Sequence, residues 1–167
     1  MKPRKLIYVS LLAASLLTGC ASSQDHAQPG QHDHTSHQTH APNGDLQELT
    51  ASVEKLPSFL TNLDPRIAEA YKIAAANRDL LKSIPCYCGC GESAGHQHNG
   101  NCFIKEEKAD GSIVWDDHGT RCGVCMEIAV VSAKLKQDGK SVKEIRQFID
   151  KAYAEGYAKP TPTPMPS

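Results

Sequence analysis

Apolar positions recur at helical spacing in three stretches of the chain. Ile67, Tyr71, Ala74 and Leu81 repeat with a period of about 3.6 residues, so one face packs inward and Tyr71 belongs to the core. Asp64-Pro65 ahead of them supplies a capping carboxylate and a proline for the first turn, and Pro85 stops the helix. A second helix is predicted from near Cys122 to Gly139, a residue suited to a left-handed stop. Ser141 and Glu144 then have capping-box spacing for a helix with the inner face Val142, Ile145, Phe148, Ile149 and Tyr153, and Gly139-Lys140 turns the two into a helical hairpin. Between these helical stretches, Cys102-Phe103-Ile104 and Ile113-Val114-Trp115 flank Asp110-Gly111, which predicts a short β-hairpin with Trp115 as a packing residue and Lys105 to Lys108 as solvated charges. Asp45 to Leu60 reads as weakly helical, interrupted by Pro57. The pattern predicts a mainly α domain over residues 45–158: a small Cys-rich unit of about four helices, a short hairpin and a metal- or disulfide-stapled loop region.

The two ends read differently. Leu6 to Leu17 is apolar, follows Lys2, Arg4 and Lys5, and is shorter than the ~20 residues a bilayer span needs. It ends in Leu17-Thr18-Gly19-Cys20, which resembles the lipobox of bacterial lipoproteins. That resemblance implies a signal peptide over 1–19, cleavage before Cys20, and a diacylglycerol on its thiol. The mature protein is then expected outside the cytoplasm on the cell membrane, with membrane lipid as a partner through Cys20. Residues 20–44 are expected to form the lipid anchor and a polar, disordered tether. The tether holds five of the chain's eight histidines, His26, His32, His34, His37 and His40. Such a tract suits weak metal capture or a solvated spacer. At the other end, residues 159–167 alternate prolines and predict an extended tail with no role in the core.

Composition sharpens this picture in two places. Only 5% of residues are aromatic, so the apolar core is modest and a staple would contribute to stability. The formal net charge is −1 and no basic stripe is interleaved with aromatics, which excludes nucleic acid as a partner. No Ser/His/Asp set, phosphate-cradling loop or spaced carboxylate pair appears, so hydrolase and nucleotide-binding chemistry are not indicated.

The chemistry lies in sulfur. Cys86, Cys88 and Cys90 occupy alternate positions in Pro85-Cys86-Tyr87-Cys88-Gly89-Cys90, and Cys102, Cys122 and Cys125 follow. His96, His98 and His118 lie among them, and one of the first two is expected to face the thiols while the other is solvated. Thiolates and imidazoles select zinc or copper(I) over oxygen-ligated metals. Gly89-Cys90 could form one knuckle of a site with Cys122/Cys125 as the other, roughly thirty residues on. Cys86, Cys102, His96 and His118 could then make a second centre. Six thiols exceed one simple zinc, leaving two metals, one metal with a disulfide, or three disulfides open. Cys122 at a helix start beside Arg121 also has the setting of a thiolate nucleophile, with Cys125 as its resolving partner.

Residues Pro85 to Cys90, with His96, Cys102, His118-Gly119 and Cys122-x-x-Cys125, resemble the PCYCGC-motif lipoprotein family, an uncharacterised group. The resemblance implies that the matching cysteines, with His96 and His118, are the functional group. A more local likeness joins Arg121-Cys122-x-x-Cys125 to Gly139-Lys140-Ser141 and is similar to the thiol reductases of cytochrome c maturation, although the spacing here is shorter, the anchor is a lipid, and the other thiols have no counterpart there.

The sequence therefore points to a lipid-anchored extracytoplasmic protein binding zinc or copper(I) through Cys86, Cys88, Cys90, Cys102, Cys122, Cys125, His96 and His118, and leaves an enzymatic role open. Two alternatives stand beside it. One is a thiol–disulfide oxidoreductase using Cys122 and Cys125. The other is a disulfide-stapled domain that binds another envelope protein.

Overall fold

The structure, a computed structural model, describes residues His37 to Ser167. The expected signal peptide, Cys20, His26, His32 and His34 lie outside the described residues. Strands β1 (Gln38–His40), β2 (Leu46–Thr50), β3 (Ile104–Glu107) and β4 (Ile113–Asp116) form an antiparallel sheet in the order β1-β2-β4-β3. Helices α1 (Pro65–Ala76), α2 (Arg78–Leu81), α3 (Cys90–Ser93), α4 (Gly123–Gln137) and α5 (Val142–Ala152) accompany it, with α1 and α5 both packed on α4. No helix among the described residues is long and apolar enough to cross a membrane.

The domain is thus mixed α and β rather than mainly α. The predicted hairpin is present as β3 and β4, and β2 is the strand that the apolar pattern hid. Its inward positions are polar: Glu48 and Thr50 are buried. Thr50 Oγ1 accepts the Trp115 indole N–H at 2.8 Å. The Glu48 carboxylate accepts from Ser58 N–H at 2.6 Å, Ser58 hydroxyl at 2.8 Å and Gln38 amide at 2.9 Å. Buried polar groups paired in this way cost little to enclose, but they erase the alternation from which a strand is read. β1 lies in the segment expected to be a disordered tether, so His40 sits on a strand, exposed like His37.

The helices follow their local signals. Asp64 caps α1 by accepting the Arg66 N–H at 2.9 Å. α1 ends sooner than the predicted run to Leu81, because Asn77 leaves helical geometry and returns a side-chain hydrogen bond to Ile73 O. Tyr71 is fully buried, with Phe59 and Phe103 edge-on and its hydroxyl donating to Asp116 O at 2.7 Å. Ser141 and Glu144 complete the capping box of α5. Its inner face is narrower than predicted: Ile145, Ile149 and Tyr153 are buried, whereas Val142 and Phe148 are exposed.

The C-terminal tail departs most from its expected idle role. Thr161 and Thr163 are buried. Arg146 of α5, itself buried, donates through Nη1 to the carbonyls of Thr163 and Pro164, both at 3.0 Å. The prolines keep the segment extended, and an extended segment can offer its backbone to a neighbour.

Candidate metal centre

Tail and cysteine run are paired. The Cys86 N–H donates to Thr161 Oγ1 at 2.9 Å, the Thr161 N–H returns to Cys86 O at 2.9 Å, and the Ala158 N–H reaches Tyr87 O at 3.1 Å. This ladder fixes Cys86 and Tyr87 ahead of Cys88. Gly89 then takes φ +90°, a left-handed value glycine adopts without strain, and turns the chain into α3 so that Cys90 opens that helix. Cys102 arrives on a single helical turn, Asn99–Cys102. Asn99 locks this turn, its N–H donating to Ile84 O at 2.8 Å and its amide to Cys125 O at 3.1 Å. Gly119 allows the next segment to close in: a Cβ there would stand 2.9 Å from Cys102 O and from the Phe103 ring. Cys122 caps α4, its sulfur accepting the Cys125 N–H at 3.3 Å.

All six sulfurs converge as free thiols. Cys86 Sγ lies 3.4 Å from Cys88, 3.3 Å from Cys125 and 3.9 Å from Cys102. Cys125 Sγ is 3.4 Å from Cys88 and 2.8 Å from Cys122. Cys90 and Cys102 are 3.7 Å apart, and Cys102 is 3.5 Å from His96 Nδ1. Sulfurs around a tetrahedral zinc, each about 2.3 Å from the ion, stand about 3.8 Å from one another. The sulfur–sulfur separations run from 2.8 to 3.9 Å, so most lie near that spacing while Cys122 and Cys125 stand well inside it. Buried Ile84, Phe103, Ile128 and Ala129 belong to the same core as the cluster and keep its surroundings apolar.

The histidines differ in their electrostatics. His118 holds Asp45 at Nδ1, 3.0 Å away, and turns Nε2 toward Cys88 at 4.0 Å. Asp45 is buried and also pairs with Arg121, so the carboxylate orients the ring as metal-ligating imidazoles are commonly oriented. Cys88, aided by Asp45, holds the His118 imidazolium up at about 9 despite burial. Burial, with the nearby His118 charge, pulls His96 down to about 4, leaving it neutral. Donation from the Cys102 and Cys125 thiols lowers Cys86 to about 4, and donation led by Cys102 and Cys122 lowers Cys88 as well. These directions place protons between neighbouring sulfurs and an imidazolium beside the Cys88 sulfur. A cation would displace those protons.

The family described as "protein of unknown function with PCYCGC motif" matches residues 9–166. The chain belongs to this family. No curated protein and no solved structure matches it. The match supports the first of the two resemblances and lends nothing to the thiol reductase likeness.

In this PCYCGC protein the hexapeptide meets the later donors, but in a different grouping from the one its spacing suggested. Cys88 rather than Cys90 sits against Cys122 and Cys125, and Cys90 rather than Cys86 joins Cys102, His96 and His118. The turn at Gly89 makes the exchange, because it carries Cys90 onto α3. Of the two loop histidines, His96 faces the sulfurs. His98 is half-buried rather than solvated, with Nδ1 unpartnered. Cys122 stands at the start of α4, where several thiols act on it. Cys125 pulls its thiol down, but Cys88 and burial outweigh that and raise it to about 11. Asp45, Asn99, Gly119 and Thr161 all position the cluster and carried no sequence signal beyond His118-Gly119, since their partners are far along the chain.

Proposed function

We propose that this protein binds a soft transition metal, zinc or copper(I), in its Cys/His cluster while tethered to the outer face of the cell membrane by a lipid on Cys20. The observation that carries the reading is the convergence of six thiols and two imidazoles in one largely buried cluster, with His118 oriented by Asp45. Such a set selects soft ions over magnesium or calcium, whose ligands are oxygens. The histidines of the segment leading to β1 gather ions for the cluster. The lipobox-like end of the leader supports the anchored, extracytoplasmic placement.

Thiol–disulfide exchange is the weaker reading. Cys125 is fully buried and donation to Cys102 and Cys122 pushes its thiol well up, while Cys122 titrates above neutrality. Neither has the exposed thiolate that exchange requires. A stapled scaffold also fits less well, because six free thiols share one cluster. Elemental analysis and thiol counting on the same anaerobically purified mature chain test the proposal. Stoichiometric zinc or copper with six cluster thiols is the expected outcome. Metal-free protein after reconstitution, or three disulfides in their place, would remove it.

A further inference from the structure

The cluster offers eight donors in overlapping groups, since Cys86 also joins Cys88 with Cys90 and Cys102 with Cys125, and they can be divided into two sets of four. Cys90, His96, Cys102 and His118 bring their ligand atoms within 4.8 Å of one another. Cys88, Cys122 and Cys125 do the same, and Cys86 stands 3.4 Å from Cys88 and 3.3 Å from Cys125. A tetrahedral ion takes four ligands, so one ion leaves half the donors unused, while two ions use each of them once.

The sets differ in chemistry and in exposure. Two thiolates and two neutral imidazoles around a dication carry no net charge, so that centre costs least to enclose. Its members Cys90, His96 and Cys102 are in fact buried. A cavity bounded by Gln47, Ser93, His96, Lys105 and Asp116 reaches that imidazole but is lined by none of the sulfurs. Four thiolates around a dication leave two negative charges, which favour contact with water. There Cys88 and Cys122 are half-buried while Cys86 and Cys125 are buried, against His118 alone half-buried in the first set. Cys86, 3.9 Å from Cys102, lies on the seam between the sets.

Building on the metal reading, we infer that the protein holds two ions of unlike role: an enclosed one on Cys90, His96, Cys102 and His118, retained as part of the fold, and an outer one on Cys86, Cys88, Cys122 and Cys125, exchangeable with soft-metal donors or acceptors. Tetrahedral S2N2 coordination suits zinc, and the all-thiolate centre accepts either zinc or copper(I).

The test loads the reduced mature chain with zinc alone, counts bound metal, and follows its release to a chromogenic chelator. Two equivalents are expected, leaving in phases of equal amplitude whose rates differ by at least about tenfold. Cys122→Ser should remove only the fast phase, and it should fold because serine is itself a favourable helix cap. One bound equivalent would overturn the two-ion inference and leave the metal reading standing. Two equivalents leaving in a single phase, or loss of both in Cys122→Ser, would overturn the division of roles. No bound zinc would overturn the two-ion inference, and no bound copper(I) when the same chain is reloaded with that ion would overturn the reading beneath it as well.

Discussion

The helical hairpin of α4 and α5 and the cysteine-bearing segment from Pro85 to Gly119 are held by opposite means. In the hairpin the deciding contacts are local. Cys122 caps the first helix, and Ser141 with Glu144 closes the second through hydrogen bonds three residues apart. In the cysteine segment the partners are remote. Thr161 binds Cys86 from 75 residues away, Asp45 binds His118 from 73, and Trp115 at the sheet end binds Thr50 from 65. The hairpin is a frame that its own sequence specifies. The site is assembled on it by polar groups from the N-terminal strands and the C-terminal tail, so disturbances to those distant segments should reach the Cys/His cluster while disturbances to the hairpin surface should not.

The largest expected effect comes from the tail. Deleting residues 160–167 removes the four hydrogen bonds to Cys86 and Arg146, at about 1 kcal/mol each, and should cost roughly 4 kcal/mol in urea unfolding together with weaker metal binding. An unchanged midpoint would show that the strap holds nothing. Next, Asp45→Asn frees the His118 ring and should weaken zinc affinity about 10- to 100-fold by competition titration, because a ligand's orienting partner is lost. Equal affinity in that variant would count against His118 as a ligand.

Smaller effects separate the strands from the hairpin. Glu48→Gln weakens the carboxylate cradle between β2 and the Ser58 turn and should cost about 1–2 kcal/mol. Burial pushes the Glu48 carboxyl up, but the Ser58 N–H, the Gln38 amide and the Ser58 hydroxyl outweigh it and leave it below its ordinary 4.5. A lowered folded value means the contribution is present above about 4.5 and is lost as pH falls through the folded value. The wild-type chain should therefore lose stability over that acid range more steeply than the variant, and parallel pH profiles would contradict the assignment. Smallest, Ser141→Ala should cost about 1 kcal/mol, as cap removal does, with metal content untouched. A metal-deficient Ser141→Ala would erase the distinction between frame and site.

The same division explains how much could be read beforehand. Asp64-Pro65, the Ser141/Glu144 box and Asp110-Gly111 each act within a few residues, and their elements stand where the pattern placed them. β2 was illegible because its buried positions are Glu48 and Thr50, which resemble a solvated stretch until their partners are known. The tail was illegible because its contribution is hydrogen bonding by its backbone and by the Thr161 and Thr163 hydroxyls, which leaves no apolar trace. Within the site, residue types alone nominated the thiols and imidazoles that the structure gathers. Their grouping depended on the left-handed turn at Gly89, and the orienting role of Asp45 depended on a contact spanning most of the domain.

The most direct measurement is X-ray absorption at the metal edge after zinc or copper(I) is loaded onto the reduced protein. Ligation by the cluster gives a sulfur-dominated first shell at about 2.3 Å, with a smaller nitrogen contribution at about 2.0–2.1 Å. A shell of nitrogen and oxygen alone would place the ion on the histidines of the leading segment, and the cluster would hold nothing.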